Sequence, residues 1–123
     1  VQVFIRTDMH KCGYNIIYAD ETTTASPAET AEKIKAIIGD MPVYLTFDID
    51  ALDPAYAPGT GTPVIGGPSS AYVRGVLTRL RGLNVVAGDV VEVAPNYDSS
   101  EITSVAAAQI AQDIMYLMLD SKK

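Results

Sequence analysis

Short apolar runs typical of β-strands alternate along this chain with segments that have the spacing of amphipathic helices. The apolar runs cover residues 1–5, 42–47 and 85–93, and the helical segments begin near residues 26, 68 and 98. A strand, helix, strand order favours parallel strands joined by right-handed crossovers. The sequence therefore predicts an α/β fold in which helices flank a parallel sheet.

The predicted helices have recognisable starts, ends and buried stripes. Ser26-Pro-Ala-Glu29 is a capping box with proline at the first helical position, and Gly39 is placed to end that helix. The second helix is expected to close near Gly82, and Asp98-Ser-Ser-Glu101 is expected to cap the third. Residues 15–18 form a weaker candidate strand. The residues predicted to point inward are Ala31, Ile34 and Ile38, then Val73, Val76, Leu77 and Leu80, then Ile102, Ala106, Ile110, Ile114 and Leu117.

Length and composition predict a single partial domain over residues 1–123. With 123 residues, 48% of them hydrophobic, the chain can build one core and is too short for two ordinary domains. A formal charge of −6 argues against nucleic acid as a partner.

The sequence also predicts no membrane association and a cytoplasmic location. No uninterrupted apolar run approaches the roughly 20 residues that span a bilayer, because polar residues interrupt the stretch 104–119. No signal peptide opens the sequence. The single Cys12 excludes an internal disulfide and suggests a reducing compartment.

Two acidic residues follow the second apolar run directly, and they are the first candidates for a metal site. Asp48 and Asp50 are two residues apart, so on a strand their side chains would face the same way. Two unpaired carboxylates in a buried position are costly, and a hard cation such as Mn²⁺, Mg²⁺ or Ca²⁺ would remove that cost. Two other interpretations stay open: the pair caps a turn, or one carboxylate is an aspartyl nucleophile of a phosphotransferase. Asp53 is expected to shape the following loop through backbone hydrogen bonds.

A third carboxylate, Glu92, closes the next predicted strand. Ligands of open parallel sheets bind beyond the carboxyl ends of the strands. Because one helix separates the two strands, they should be neighbours, and Glu92 should share a sheet edge with Asp48 and Asp50. A pairing of Glu92 with an arginine such as Arg6 is the alternative.

Residues 46–67 resemble the third signature of the ureohydrolase family, which includes arginases, agmatinases and related amidinohydrolases. The motifs that stand at the family spacing are Asp48-Ile-Asp50, Asp53-Pro54, Pro58-Gly59 and Gly66-Gly67, extended by Gly-Thr-Gly-Thr-Pro at 59–63. Residues 89–103 resemble the agmatinase branch. The resemblance implies the C-terminal portion of an arginase-like three-layer fold.

The resemblance also implies a function: manganese-dependent hydrolysis of a guanidino compound, with agmatine, which yields putrescine and urea, as the expected small cationic substrate. Two manganese ions would occupy the complete site. Asp48 and Asp50 would be metal ligands, and Glu92 would bind the guanidinium group. No residue of this chain is assigned a catalytic acid or base role.

Two upstream family motifs, Gly-Gly-Asp-His and Asp-Ala-His-x-Asp, do not occur in this sequence, whose one histidine, His10, fits neither. Four of the six expected metal-ligand positions are therefore missing. The chain alone is expected to be inactive and to need either a missing N-terminal segment or homo-oligomerisation. The second hypothesis is a non-catalytic assembly or interaction module derived from a truncated ureohydrolase.

Overall fold

The computed structural model describes residues 12–121, which form two strands and three α-helices around one core. The predicted strand at residues 1–5, together with Arg6 and His10, lies outside the described residues. In chain order the elements are α1 (Pro27–Ile38), β1 (Val43–Asp48), α2 (Ser70–Leu77), β2 (Val85–Val91) and α3 (Ile102–Asp120), with short 3₁₀ turns at Glu21–Thr23, Ile49–Ala51 and Pro95–Tyr97. No strand forms at residues 15–18.

Helix α1 begins and ends as the sequence predicts. The Ser26 hydroxyl accepts from the Glu29 amide at 3.2 Å, and the Glu29 carboxylate accepts from the Ser26 amide at 2.7 Å. This capping box satisfies amide groups that the first helical turn leaves unpaired. Gly39 ends the helix with a φ of 58°, a conformation that glycine adopts without steric cost.

Helix α2 is shorter than predicted. Ser69 caps it by accepting from the Tyr72 amide, and the helix ends at Leu77 instead of continuing toward Gly82. Single-turn hydrogen bonds carry the chain onward, from Arg79 to Val76 and from Leu80 to Leu77. Leu80 still reaches the core, where it is 5% exposed. The apolar residues at helical spacing therefore continue to face the core beyond the last residue of the regular helix.

Helix α3 is the longest element, and its inward face differs in part from the prediction. Ile110, Ile114 and Leu117 are buried as expected, but Ile102 is 48% exposed. Thr103 takes the buried position at the start of the helix. The difference is confined to the first turns of the helix, where Thr103 and Ala107 are buried.

By length and composition alone, α3 could cross a membrane, and it is the one such helix within residues 12–121. The absence of membrane association stays a prediction. Core helices meet the same criterion, and α3 packs its buried face against β2. Asp113, on that buried face, is 6% exposed and forms two hydrogen bonds with the Arg74 guanidinium of α2.

The two described strands are parallel neighbours, as predicted. Thr46 pairs with Asp89 and Asp48 with Val91, so both strands end at the same edge. One face of β1, formed by Val43, Leu45 and Phe47, packs against the core.

The other face of β1 is exposed. Tyr44 on this face is 61% exposed, and its hydroxyl donates to Asp89 of β2. Interactions with the Thr46 and Tyr44 hydroxyls lower the pKa of Asp89. Its second oxygen, Oδ1, is buried and has no hydrogen-bond partner in the described structure. A buried acceptor is normally satisfied in a complete protein, so this face has the character of a surface that further polypeptide would cover.

Candidate metal and substrate site

The Asp48 and Asp50 pair lies where β1 turns into a short 3₁₀ segment. Asp48 is the last residue of the strand, and its Oδ1 accepts from the Asp50 amide at 3.1 Å. Ile49, between them, is completely buried, as is Leu52 after them. These two apolar anchors fix the turn against the core, and both carboxylates consequently emerge at the same end of the strand.

The carboxylates at this edge influence one another. Desolvation raises the pKa of Asp48, a hydrogen bond from the Asp50 amide opposes that rise, and the Asp50 side chain adds to it. The charge of Glu92 also raises the pKa of Asp48, as a smaller contribution. A cation bound here would relieve this repulsion, so the local chemistry suits a positively charged ligand.

Glu92 follows the last residue of β2 and has an unusual backbone conformation. Its φ is 65°, in the left-handed region that non-glycine residues adopt rarely. Its carbonyl oxygen accepts from the Thr60 hydroxyl at 3.0 Å. Such conformations cluster at functional sites, where surrounding contacts hold them in place.

The segment 58–62 crosses this edge and contacts both strand ends. Thr60 forms an antiparallel bridge with Val93, and the Ala94 amide donates to the Gly59 carbonyl at 2.9 Å. Two residues beyond Thr60, the Thr62 hydroxyl donates to Asp50 Oδ2 at 2.5 Å. One short stretch of chain therefore joins the end of β2 to the acidic turn after β1.

The same segment is anchored to the start of α3. The Gly59 amide donates to the Thr103 hydroxyl at 2.7 Å. Asp98 is 6% exposed and accepts from the Thr103 and Ser104 amides at 3.1 and 2.8 Å, so it caps the helix although regular helix begins only at Ile102. Desolvation opposes ionisation of Asp98, but these hydrogen bonds outweigh it and lower its pKa.

Asp53 has the loop-shaping role predicted for it. Its carboxylate accepts from the Ala55 and Gly66 amides, both at 2.9 Å, and these bonds lower its pKa. Asp53 thereby closes the loop that carries Thr60 and Thr62. Both of its carboxylate oxygens accept hydrogen bonds from backbone amides of that loop.

The donor set fits part of a metal site and not a whole one. Asp48 and Asp50 offer hard carboxylate oxygens of the type that Mn²⁺ accepts. Within residues 12–121 no group of three or more His, Cys, Asp or Glu side chains is arranged to hold a metal ion. The structure thus brings Asp48, Asp50 and Glu92 to one edge, while their roles as metal ligands and substrate binder stay predictions.

Sequence reasoning missed the contribution of Thr60 and Thr62. The available signal was the spacing within Gly59-Thr-Gly-Thr-Pro63, where hydroxyl residues alternate with glycine directly after the acidic turn. Alternation places both hydroxyls on one side of an extended segment.

The described residues form part of an α/β fold. It has a parallel strand pair, helices packed on one face of that pair, and carboxylates at the C-terminal edge of the strands. Hydrolases built on parallel sheets have this arrangement. The sequence model of the arginase family matches residues 5–117, and the chain belongs to that family. The predicted ureohydrolase relationship and the partial arginase-like fold are therefore confirmed.

Curated relatives and solved structures agree with this assignment. Agmatinase from Klebsiella pneumoniae subsp. pneumoniae is 50% identical over 123 residues, which cover 99% of this chain and 40% of that protein. The crystal structure of a hypothetical agmatinase from Burkholderia thailandensis is 52% identical with a TM-score of 0.83, covering 85% of this chain and 33% of its own. The structure of proclavaminate amidino hydrolase from Streptomyces clavuligerus is 39% identical with a TM-score of 0.88, and the match covers 91% of this chain and 37% of that one. The chain thus spans about 40% of the length of the curated relatives it matches.

Proposed function

We propose that this chain supplies part of the active site of a manganese-dependent ureohydrolase that hydrolyses a guanidino compound, with agmatine as the substrate. The observation that carries this proposal is the meeting of three carboxylates at the C-terminal edge of β1 and β2. The charges of Asp50 and Glu92 both act on Asp48. Parallel sheets bind their ligands at this edge.

In the proposed site, Asp48 and Asp50 hold manganese together with ligands from outside this chain. Manganese held there would supply Lewis-acid chemistry. The turn anchored by Ile49 keeps the two carboxylates in place for this role. Membership of the arginase family supports a two-metal site.

Glu92 is proposed to bind the cationic guanidinium group. Its carboxylate is exposed at the edge, and its backbone is held by Thr60 at the end of β2. Charge-assisted hydrogen bonds between a carboxylate and a guanidinium are strong and directional. Agmatine is favoured over other guanidino compounds because the Klebsiella relative at 50% identity is an agmatinase.

The second candidate is a non-catalytic assembly or interaction module. The incomplete donor set in residues 12–121 favours it for the isolated chain. A cytoplasmic location is part of either proposal and rests on the lone Cys12.

A hybrid enzyme separates the two candidates. In it, this chain replaces the 123 aligned residues of the Klebsiella agmatinase, and urea release from agmatine is measured with and without Mn²⁺. We expect manganese-dependent urea release by the hybrid and none by the 123-residue chain alone. A folded hybrid that binds Mn²⁺ but releases no urea would favour the non-catalytic module.

Variants of the hybrid test the individual residues. Asp48→Asn and Asp50→Asn should lower the bound manganese. Glu92→Gln should keep the metal but lower kcat/KM for agmatine at least 30-fold, because the complete enzyme would enclose the carboxylate–guanidinium pair and removal of one partner of an enclosed charge pair costs about 2–5 kcal/mol. Glu101→Gln is the matched control, since Glu101 is also exposed and also has a left-handed φ, of 59°. Wild-type turnover in Glu92→Gln would remove Glu92 from the site, and loss of manganese would reassign it to the metal.

A further inference from the structure

We propose that Thr60 and Thr62 are positioning residues that set the substrate-binding and metal-binding carboxylates relative to each other. The inference rests on the proposed function and assigns each threonine to a different carboxylate residue. Thr62 holds the carboxylate of Asp50, and Thr60 holds the backbone of Glu92. We refer to the hydroxyl groups of Thr60 and Thr62 as the threonine pair.

Thr62 acts on the metal ligand directly. Its hydroxyl donates to Asp50 Oδ2 at 2.5 Å, across twelve residues of sequence. A short hydrogen bond to an ionised oxygen fixes the rotation of the carboxylate about its last side-chain bond. Hydrogen-bond partners of metal ligands orient those ligands, and their removal typically lowers metal affinity 10- to 100-fold.

Thr60 acts on the substrate carboxylate through the main chain. It is 4% exposed, and its hydroxyl donates to the Glu92 carbonyl at 3.0 Å. Glu92 has a φ of 65°, so relaxation toward an ordinary extended conformation would swing its side chain away from the edge. The hydrogen bond from Thr60 opposes that relaxation and keeps the carboxylate beside Asp48.

The two hydroxyls are coupled because a single rigid segment carries both. Thr60 bridges Val93, and Gly59 before it is bonded to Ala94 and to Thr103. Anchoring on two sides leaves the segment little freedom to shift. The distance between the metal half-site and the guanidinium binder is consequently set by two hydroxyl groups, one bonded to the Asp50 carboxylate and one to the Glu92 backbone.

This arrangement predicts separable defects in the hybrid enzyme. Thr62→Val should weaken Mn²⁺ binding, measured by calorimetric titration, about 10-fold or more. Its KM for agmatine at saturating Mn²⁺ should stay within about 2-fold of the parent. Thr60→Val should leave Mn²⁺ affinity within about 2-fold and raise KM about 2- to 10-fold, the range expected for one neutral hydrogen bond.

Serine variants and a distant threonine provide the controls. Thr60→Ser and Thr62→Ser keep the hydroxyl, so their Mn²⁺ affinity and KM should equal those of the parent hybrid. If the valine variants failed only through altered packing, the serine variants would not have to recover. Thr78→Val is the matched control, because Thr78 is exposed at the end of α2 and also donates to a backbone carbonyl, that of Arg74 at 2.8 Å. It should change neither Mn²⁺ affinity nor KM.

Three outcomes would overturn the inference while leaving the proposed function standing: unchanged Mn²⁺ affinity in Thr62→Val, the same defect in both valine variants, or a serine variant as impaired as its valine counterpart. The serine comparison applies even if a valine variant fails to fold. Failure of the proposed function is distinct, because the parent hybrid would then release no urea before any threonine is changed.

Discussion

Gly59→Ala is the most informative single perturbation of this site, because it pushes the segment 58–62 without altering any polar group. A Cβ atom built on Gly59 would lie 2.4 Å from Asp98 Cβ and 2.9 Å from Asp98 Cα. These neighbours belong to or adjoin the backbone and cannot swing away as the end of a long side chain could. Either the segment or the start of α3 must therefore move.

The size of the movement follows from the contact distance. Ordinary carbon–carbon contact begins near 3.4 Å, so relief of the 2.4 Å approach needs a shift of about 1 Å. Overpacking of this kind costs roughly 1–3 kcal/mol, and we expect the upper end because the Gly59 amide is also bonded to Thr103. A misplacement of about 1 Å in positioning groups can reduce turnover about 100-fold.

Gly61→Ala provides a matched control within the same segment. A Cβ on Gly61 would have no neighbour within 4 Å, and neither glycine has a positive φ. Denaturant unfolding of the 123-residue chain measures the stability difference, and urea release by the hybrid measures the functional one. Gly59→Ala should be about 2–3 kcal/mol less stable than Gly61→Ala and about 100-fold less active.

Equal stability and equal turnover of the two alanine variants would refute this reasoning. Such a result would mean that the approach of Gly59 to Asp98 relaxes freely and that the segment is not held by α3. Loss of stability with full turnover would show a structural contact that does not position the site.

Three further predictions concern metal, association and pH. The isolated chain should bind Mn²⁺ weakly, with at most one ion, because Asp48 and Asp50 have no further ligands in the described structure; calorimetry that found two tightly bound ions would contradict the incomplete site. The chain should self-associate with rising concentration in light scattering, since one face of β1 is exposed and Asp89 Oδ1 is unsatisfied; a strict monomer would argue against an incomplete fold. Asp98 has a lowered pKa in the folded state, so its stabilisation is present above the unfolded carboxyl pKa near 3.8 and is lost as pH falls through the lower folded value. The unfolding temperature of Asp98→Asn should accordingly lie below that of the parent at pH 6, and the difference should shrink as the pH falls below about 3.8, whereas a constant difference would assign the effect to shape alone.

Local sequence signals predicted where the helices begin. Long-range packing determined where α2 ends and which residues of α3 point inward. The capping box at Ser26 satisfies its own turn, so the prediction needed no tertiary information. The length of α2 and the phase of α3 were less predictable, because both depend on how the chain packs after it leaves the regular element. In the first turn of α3, Thr103 is buried and Ile102 is exposed, and the Thr103 hydroxyl accepts from the Gly59 amide of a distant segment.

The acidic edge was predictable because its geometry follows from topology. Parallel neighbours end at the same edge, so Asp48, Asp50 and Glu92 could be brought together from strand order alone. The hydroxyls of Thr60 and Thr62 could not, because their partners lie twelve or more residues away and depend on where the loop crosses the edge. The alternation of threonine with glycine singled out Thr60 and Thr62, but it did not identify the partners of their hydroxyl groups.

The exposed face of the sheet and the incomplete metal site have the same physical origin. Within residues 12–121, helices cover the side of β1 that carries Val43, Leu45 and Phe47 and leave the other side open, and the acidic turn has two candidate metal ligands. A polypeptide covering the other side would bury Tyr44 and could donate to Asp89 while reaching the edge where Asp48 and Asp50 lie. Completion of the fold and completion of the metal site are then a single event, because binding energy from further ligands adds to folding energy. In the hybrid enzyme Mn²⁺ should therefore raise the unfolding temperature, and Asp50→Asn should reduce that increase without lowering the stability of the metal-free form.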